Sequence, residues 1–122
     1  MRADVYCDLR LKCTSFRALD GDRKGRVVAK PTLALVRDVT FRVQPGTLAT
    51  IRRTGVRAVC AYARGSATEA TPAEISQIAS RGQRVHFNPH RADTFTLDNG
   101  TPVTSADALA IDHKTAYVLN PR

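Results

Sequence analysis

His86, His90 and Asp93 have a His-x3-His-x2-Asp spacing that could bring metal-binding groups together. Histidines four residues apart share one face of a helix and can then bind the same metal ion. Pro89 lies between them and excludes a continuous helix. The pattern over residues 83–88 instead predicts a strand with His86 on its solvent side. We therefore expect surface residues here, and we expect no metal or other cofactor.

Nucleophilic and acid–base catalysis also lack a recognisable motif. Cys7, Cys13 and Cys60 form no Cys-x-x-Cys pair, and each lies in an apolar pattern that favours a buried, reduced thiol. Ser66 follows a glycine, but the chain has no Gly-x-Ser-x-Gly. Carboxylates that could pair are expected in turns or on a solvated strand face: Asp4 with Asp8, Asp20 with Asp22, and Asp98 with Asp107. We therefore expect a protein that is not an enzyme.

The distribution of charge is the strongest functional signal. The net charge is +8, yet residues 1–64 hold 14 basic and 5 acidic side chains, whereas residues 65–122 hold 5 and 6. Fifteen of the 19 basic residues are arginine, whose planar guanidinium suits phosphate and carboxylate. The expected partner is an anion, either nucleic acid, a nucleotide or an acidic protein surface. The alternative is an arginine-rich source proteome with no anionic partner.

Two groups of basic residues are candidates for an anion-binding surface. One falls in or beside a predicted hairpin within residues 1–30, and the other lies at the end of a predicted helix over residues 47–53. If both groups share a face, they form a groove for a phosphate backbone. The candidate anion-binding residues are Arg10, Lys12, Arg23, Lys24, Arg26, Lys30, Arg52, Arg53 and Arg57.

Two considerations weigh on this surface. Arg52 and Arg53 would also complement the dipole at the end of their helix without any partner. Aromatic residues that could stack on bases are few, namely Tyr6 on an outward strand face, Phe16 and Tyr62. Binding through base stacking is therefore less favoured than contact with a phosphate backbone or an acidic protein.

Periodicity predicts mostly strands. Apolar residues at odd positions over residues 3–13 predict one strand with a solvated face, and the Gly/Asp-rich segment 20–25 predicts a hairpin turn. Residues 65–70 are expected to form a loop. Asp98-Asn-Gly100 is typical of a hairpin turn, because Asn-Gly tolerates positive φ angles. Further strands are predicted over residues 26–30, 32–36, 39–43, 56–64, 83–88, 94–97, 108–111 and 116–119, the last two forming a hairpin.

Two short helices complete the expected fold. Thr71-Pro-Ala-Glu74 is a capping box that opens a helix ending near Gly82, and the helix over residues 47–53 is closed by Gly55. The length of 122 residues fits one domain, with no membrane-spanning run and no signal peptide. The chain is therefore expected to be a single α+β domain over residues 1–122. It would consist of a mostly antiparallel sheet of six to eight strands, with a partly closed barrel as the alternative.

The order of segments resembles a family of small proteins encoded by tailed bacteriophages and prophages. The segments are DVYCDLR (4–10), KGRVVA (24–29), RDVTFRV (37–43), RAVCAYARG (57–65), FNPH (87–90) with DTF (93–95), and GTPV (100–103). The usual family segments have a histidine where Cys60 stands and an aromatic residue where His90 stands, so no functional residue is carried over. The resemblance implies a phage protein made in the host bacterial cytoplasm, with no established activity.

Three functions are compatible with this context. The first is a non-enzymatic accessory protein that binds nucleic acid, or a nucleoprotein complex, through its basic first half. The second is an inhibitor that docks on an acidic host protein, including a defence protein, or that sequesters a nucleotide signal. The third is a minor virion component that forms homo-oligomers through exposed strand edges. None of the three requires a membrane.

Overall fold

The structure is a computed structural model that describes residues 1–8, 13–43, 45–55, 61–86, 95–112 and 115–122. Within these residues nine strands form one antiparallel sheet, and two helices accompany it. No helix in the described part of the chain is long and apolar enough to cross a bilayer. The elements are β1 (Arg2–Asp8), β2 (Cys13–Ala18), β3 (Val27–Ala29), β4 (Leu33–Val43), α1 (Pro45–Thr54), β5 (Ala61–Glu69), α2 (Pro72–Arg81), β6 (Gln83–His86), β7 (Thr96–Leu97), β8 (Ser105–Asp112) and β9 (Thr115–Leu119).

The prediction of one strand over residues 3–13 is wrong. β1 ends at Asp8, β2 begins at Cys13, and the two strands pair antiparallel with Asp8 opposite Cys13. Polar and apolar residues alternate through the connecting sequence as well, so the pattern alone does not show that the chain reverses direction between the two strands. The hairpin predicted around residues 20–25 is present, but its first strand is β2 and its second strand is β3.

The two strands predicted over residues 32–36 and 39–43 form the single strand β4, which contains a β-bulge. Arg37 pairs with Ser66 and Thr40 with Arg64, so β4 has one extra residue there, and Asp38 adopts a positive φ of 50°. β5 runs through the predicted loop over residues 65–70 as far as Glu69. A Cβ atom at Gly65 would lie 2.6 Å from the carbonyl oxygen of Arg37. Glycine therefore permits the close approach at the bulge and does not end the strand.

Both helices are confirmed. The Thr71 hydroxyl accepts from the Glu74 backbone N–H, and the Glu74 carboxylate accepts from the Thr71 backbone N–H, which completes the capping box. Gly55 ends α1 with φ 73° and donates its N–H to the carbonyl oxygen of Ile51. Gly82 caps α2 in an extended conformation, where a Cβ atom would overlap the carbonyl oxygen of Val118.

The sheet is open, with the order β3-β2-β1-β5-β4-β8-β9-β6-β7, so the closed-barrel alternative is not realised among the described strands. Its inner face carries the main apolar core, which includes Phe16, Val36 and Leu109. The Phe41 ring on β4 lies 4.5 Å from the Phe95 ring beside β7, although four strand spacings, about 19 Å on a flat sheet, separate those strands. The β7 end therefore folds back over the inner face.

The outer face is divided between an apolar half and a polar half. Ile75 and Ile78 of α2 pack against Leu35, Ala108 and Ala110, which covers part of β4 and β8. At residues 2–6 of β1, 15–17 of β2, 62–66 of β5 and 37–42 of β4, the outer positions are polar or aromatic instead. This second half of the outer face contains the candidate site.

Candidate functional site

The register of four adjacent strands places a set of arginines on the outer face. Directly opposed residues of an antiparallel ladder share a face, and residues two apart along a strand do so too. Asp4 on β1 lies between Arg17 on β2 and Arg64 on β5, and Thr40 on β4 follows Arg64 in the same row. We call this surface the arginine face; its residues are Arg2, Asp4, Tyr6, Ser15, Arg17, Arg37, Thr40, Arg42, Tyr62, Arg64 and Ser66.

Asp4 is the centre of the arginine face. Its carboxylate is 3% exposed and accepts three hydrogen bonds. Arg64 donates from Nε at 2.8 Å and from Nη2 at 3.3 Å, and Arg17 donates from Nη2 at 3.3 Å. The sequence interpretation of Asp4 as a solvated carboxylate is therefore wrong. The two neighbouring strands supply the cations that make its burial tolerable, and a period-2 pattern shows only that Asp4 faces away from the apolar side.

Asp4 orients the two arginines but does not occupy all of their N–H donors. Each guanidinium has five N–H donors, and only some of them bond to the carboxylate, so donors remain for other acceptors. The hydrogen bonds to Asp4 raise the pKa of Arg64 above its ordinary value, which keeps the cation charged. The side chains of Arg17 and Arg64 are 36% and 29% exposed, so solvent reaches both guanidinium groups.

Two tyrosines lie among these arginines. The Arg17 guanidinium carbon lies 5.6 Å from the Tyr6 ring centroid and 5.9 Å from that of Tyr62, and the Arg64 guanidinium carbon lies 5.7 Å from the Tyr62 ring. These distances allow cation–π contacts. Tyr6 is half-buried, Tyr62 is buried, and Phe16, the third aromatic considered for stacking, lies in the inner core. The aromatics are few, but two of the three meet at one place.

The rest of the arginine face is more exposed. Arg2, Arg37 and Arg42 are exposed at the ends of the rows on β1 and β4. Asp4 is the one carboxylate within the defined face. Arg37 also acts on α2, where its charge contributes to lowering the pKa of Glu74, although the hydrogen bonds from Thr71 contribute more. Ser15, opposite Tyr6, is fully buried, and its Oγ has no hydrogen-bond partner in the part of the chain that the structure describes.

The predicted anion-binding residues lie elsewhere. Arg23, Lys24 and Arg26 are exposed together in the connection between β2 and β3, and Lys30 is exposed just after β3. Arg52 and Arg53 are exposed in the last turn of α1. The other three predicted residues, Arg10, Lys12 and Arg57, lie outside the described residues.

These groups do not form one groove within the described residues. The β2–β3 connection leaves the sheet beside Ala18, which pairs with Ala3, and Ala3 pairs with Gly65 on β5. α1 leaves β4 beside Val43, which pairs with Ala61 at the other end of β5. The cations of the connection and those of α1 therefore lie toward opposite ends of the strands. In the sequence, the arginine face is indicated instead by the polar or aromatic residues at every second position of each strand, such as Tyr62 and Arg64.

Among the described residues considered for metal binding and catalysis, only Asp4 and Ser66 belong to the arginine face. His86 is exposed as predicted, and its Nε2 lies 2.8 Å from Asp98 Oδ1; His90 and Asp93 lie outside the described residues. No group of three histidine, cysteine, aspartate or glutamate side chains suited to a metal occurs in the described ranges. Ser66 is exposed on β5. The other paired carboxylates differ: Asp20 and Asp22 are exposed in the β2–β3 connection, whereas Asp107 accepts from Asn120 and Arg122.

Comparison with known proteins gives one relationship. No curated protein and no solved structure matches the chain. A family model described as Mycobacterium phage L5 gene 82 protein matches residues 1–119 of the 122. This match confirms the resemblance to phage-encoded proteins and covers every strand and helix described above. The chain therefore belongs to the Mycobacterium phage L5 gene 82 protein family.

Proposed function

We propose that this phage-family protein is a non-enzymatic accessory factor that binds nucleic acid through the arginine face. The observation that carries the proposal is that four adjacent strands place five arginines on one face, where two of them bond to the buried carboxylate of Asp4. All five belong to the basic half of the chain, residues 1–64. Guanidinium groups bind phosphate through charge-assisted and often bidentate hydrogen bonds.

The dimensions of the arginine face support a chain of phosphates over a single small anion. Four strands spaced by the ordinary sheet distance extend over about 14 Å, with Arg17 on one side and Arg42 on the other. Successive phosphates of a nucleic acid chain can contact arginines at such separations. Arg17 and Arg64 are also held by Asp4, so less side-chain freedom is lost when a phosphate binds them.

The experiment compares three charge-reversed proteins that carry the same change in net charge. Arg37→Glu with Arg42→Glu alters the arginine face, Arg23→Glu with Lys24→Glu alters the β2–β3 connection, and Arg52→Glu with Arg53→Glu alters α1. All six side chains are exposed, so the fold should tolerate each change. Binding to labelled oligonucleotides is measured by fluorescence anisotropy at low salt.

We expect the arginine-face variant to lose at least tenfold in affinity and the other two to lose several-fold less. Equal losses in all three proteins would mean that only the overall charge matters and would overturn the proposed site. Absence of binding by the unaltered protein at low salt would overturn the function itself. A stoichiometric complex with an acidic host protein, retained after nuclease treatment, would then be the alternative to pursue.

A further inference from the structure

Building on the proposed function, we propose that the arginine face selects single-stranded over double-stranded nucleic acid, by stacking an unpaired base on the layer formed by Tyr6, Arg17, Tyr62 and Arg64. We call these four residues the stacking platform. The inference depends on that function, but its test separates the two. It follows from the arrangement of planar groups and not from charge alone.

The stacking platform is an alternation of π surfaces and cations. Arg17 lies over both tyrosine rings, and Arg64, which is on the same strand as Tyr62, lies over the Tyr62 ring, with guanidinium-to-centroid distances of 5.6 to 5.9 Å. Bases stack on aromatic rings and on guanidinium planes in complexes with single strands. The platform brings both kinds of group together at one point of the surface.

The platform is held rigid from below. Asp4, 3% exposed, accepts hydrogen bonds from both guanidiniums, and the rings of Tyr6 and Tyr62 lie beneath them at cation–π distance. Such an arrangement loses little conformational freedom when a base binds. Tyr62 is buried under the two arginines, so the accessible members of the platform are Arg17, Arg64 and the half-buried Tyr6.

A duplex cannot use this surface in the same way. Its base planes are stacked on each other inside the helix, and only phosphates and base edges reach a sheet surface. A duplex would therefore gain the contacts of Arg2, Arg37 and Arg42 but not the stacking contact. A single strand gains both, with the phosphates adjacent to an unpaired base bound by the surrounding arginines.

Intrinsic tyrosine fluorescence tests the inference, because the chain has three tyrosines and no tryptophan. Oligo(dT), which is single-stranded, is titrated against a hairpin duplex with the same number of phosphates. Tyr6→Leu removes the accessible tyrosine of the platform. Tyr117→Leu is the matched control, because Tyr117 lies on β9 and packs beside the α2 cluster.

We expect oligo(dT) to bind about tenfold more tightly than the duplex and to quench the fluorescence. Tyr6→Leu should remove most of the preference, measured by fluorescence anisotropy of labelled ligands because this variant lacks the reporting tyrosine, whereas Tyr117→Leu should retain both the preference and the quenching. Circular dichroism of each variant shows whether its fold is intact. If Tyr6→Leu fails to fold, Tyr6→Phe takes its place; it keeps the aromatic ring and should keep the preference for the single strand.

The outcomes separate the two proposals. If oligo(dT) and the duplex bind with equal affinity, and Arg37→Glu with Arg42→Glu weakens both, single-strand selectivity is overturned and the proposed function stands. A preference that survives Tyr6→Leu in a folded protein would overturn the platform as its source. Failure of both ligands to bind would overturn the proposed function as well.

Discussion

Asp4 and Arg64 are joined by a hydrogen bond of 2.8 Å across neighbouring strands, although 60 residues separate them in the chain. The carboxylate is buried and the guanidinium is partly exposed, so the pair connects the buried base of the arginine face to its solvent-exposed surface. Arg17 contacts the same carboxylate from the opposite side. The arginine face is thus organised around a residue that solvent and a bound ligand scarcely reach.

Asp4→Asn should therefore impair both stability and binding. The amide keeps the shape but removes the charge that offsets two neighbouring cations, and we expect a loss of about 2 kcal/mol in the free energy of unfolding. Urea denaturation measures this loss, and Asp20→Asn in the exposed β2–β3 connection is the control that should be nearly neutral. The idea fails if both variants unfold at the same urea concentration.

The salt dependence of binding should count the phosphates that the arginine face contacts. For a single strand, the slope of log affinity against log salt changes by about 0.7 for each phosphate contacted. Neutralising two exposed arginines, with Arg37→Gln and Arg42→Gln, should therefore make the slope shallower by about 1.4. Arg52→Gln with Arg53→Gln should leave the slope unchanged, and a change of the same size there would assign those phosphate contacts to α1.

Gly65→Ala should destabilise the protein because β4 passes so close to β5 at the bulge. The new methyl group would lie 2.6 Å from the carbonyl oxygen of Arg37 and 2.8 Å from Val36 Cγ1, so backbone must move. Overpacking of this kind costs about 1–3 kcal/mol. Thermal melts of the two variants measure this cost. Gly46→Ala in α1, where nothing lies within 4 Å of the added atom, is the control and should be neutral or slightly stabilising.

Ser15→Ala should stabilise the protein. The Ser15 hydroxyl is buried and has no hydrogen-bond partner among the described residues, so its removal eliminates a desolvated polar group. We expect a gain of about 1 kcal/mol in the free energy of unfolding. Ser66→Ala, exposed on β5 of the same face, should change stability by less than about 0.5 kcal/mol. A destabilised Ser15→Ala protein would show that the hydroxyl has a partner after all.

The capping box of α2 should give the stability of the protein a pH-dependent component. Hydrogen bonds from the Thr71 backbone N–H and hydroxyl lower the pKa of Glu74 below its ordinary value of 4.5. A carboxyl with a lowered pKa stabilises the fold fully above its unfolded value and loses that contribution as pH falls through the folded value. Glu74→Gln should therefore lower Tm at pH 7, and the difference from the unaltered protein should shrink below about pH 4.5.

A double-mutant comparison isolates this effect. In a Thr71→Ala background the hydroxyl of the capping box is missing, so Glu74→Gln should produce a smaller and less pH-dependent change in Tm. Unaltered pH dependence in that background would mean that the Thr71 hydroxyl does not contribute, because Thr71→Ala retains the backbone N–H that also donates to Glu74.

The sequence alone determined the local elements of this protein. The capping box at Thr71 and the Asn-Gly turn at Gly100 require specific residue types over a few positions, and the structure confirms both. The terminal hairpin of β8 and β9 follows from the same kind of local signal. Local hydrogen bonds and allowed φ angles involve neighbouring residues, so a linear pattern records them.

Which residues of different strands lie side by side on one face depends on the tertiary structure. The division of residues 3–13 into β1 and β2 depends on their pairing, and the path of β5 through Gly65 depends on the bulge in β4. Charge along the chain predicted an anionic partner but pointed to turns and a helix end; among the described residues, the fold places the β2–β3 connection and α1 toward opposite ends of the strands. Strand pairing brings Arg64 beside Asp4 and Arg17, although Arg64 is 60 residues from Asp4 in the chain, because sequence spacing does not show which distant strands are neighbours in the sheet.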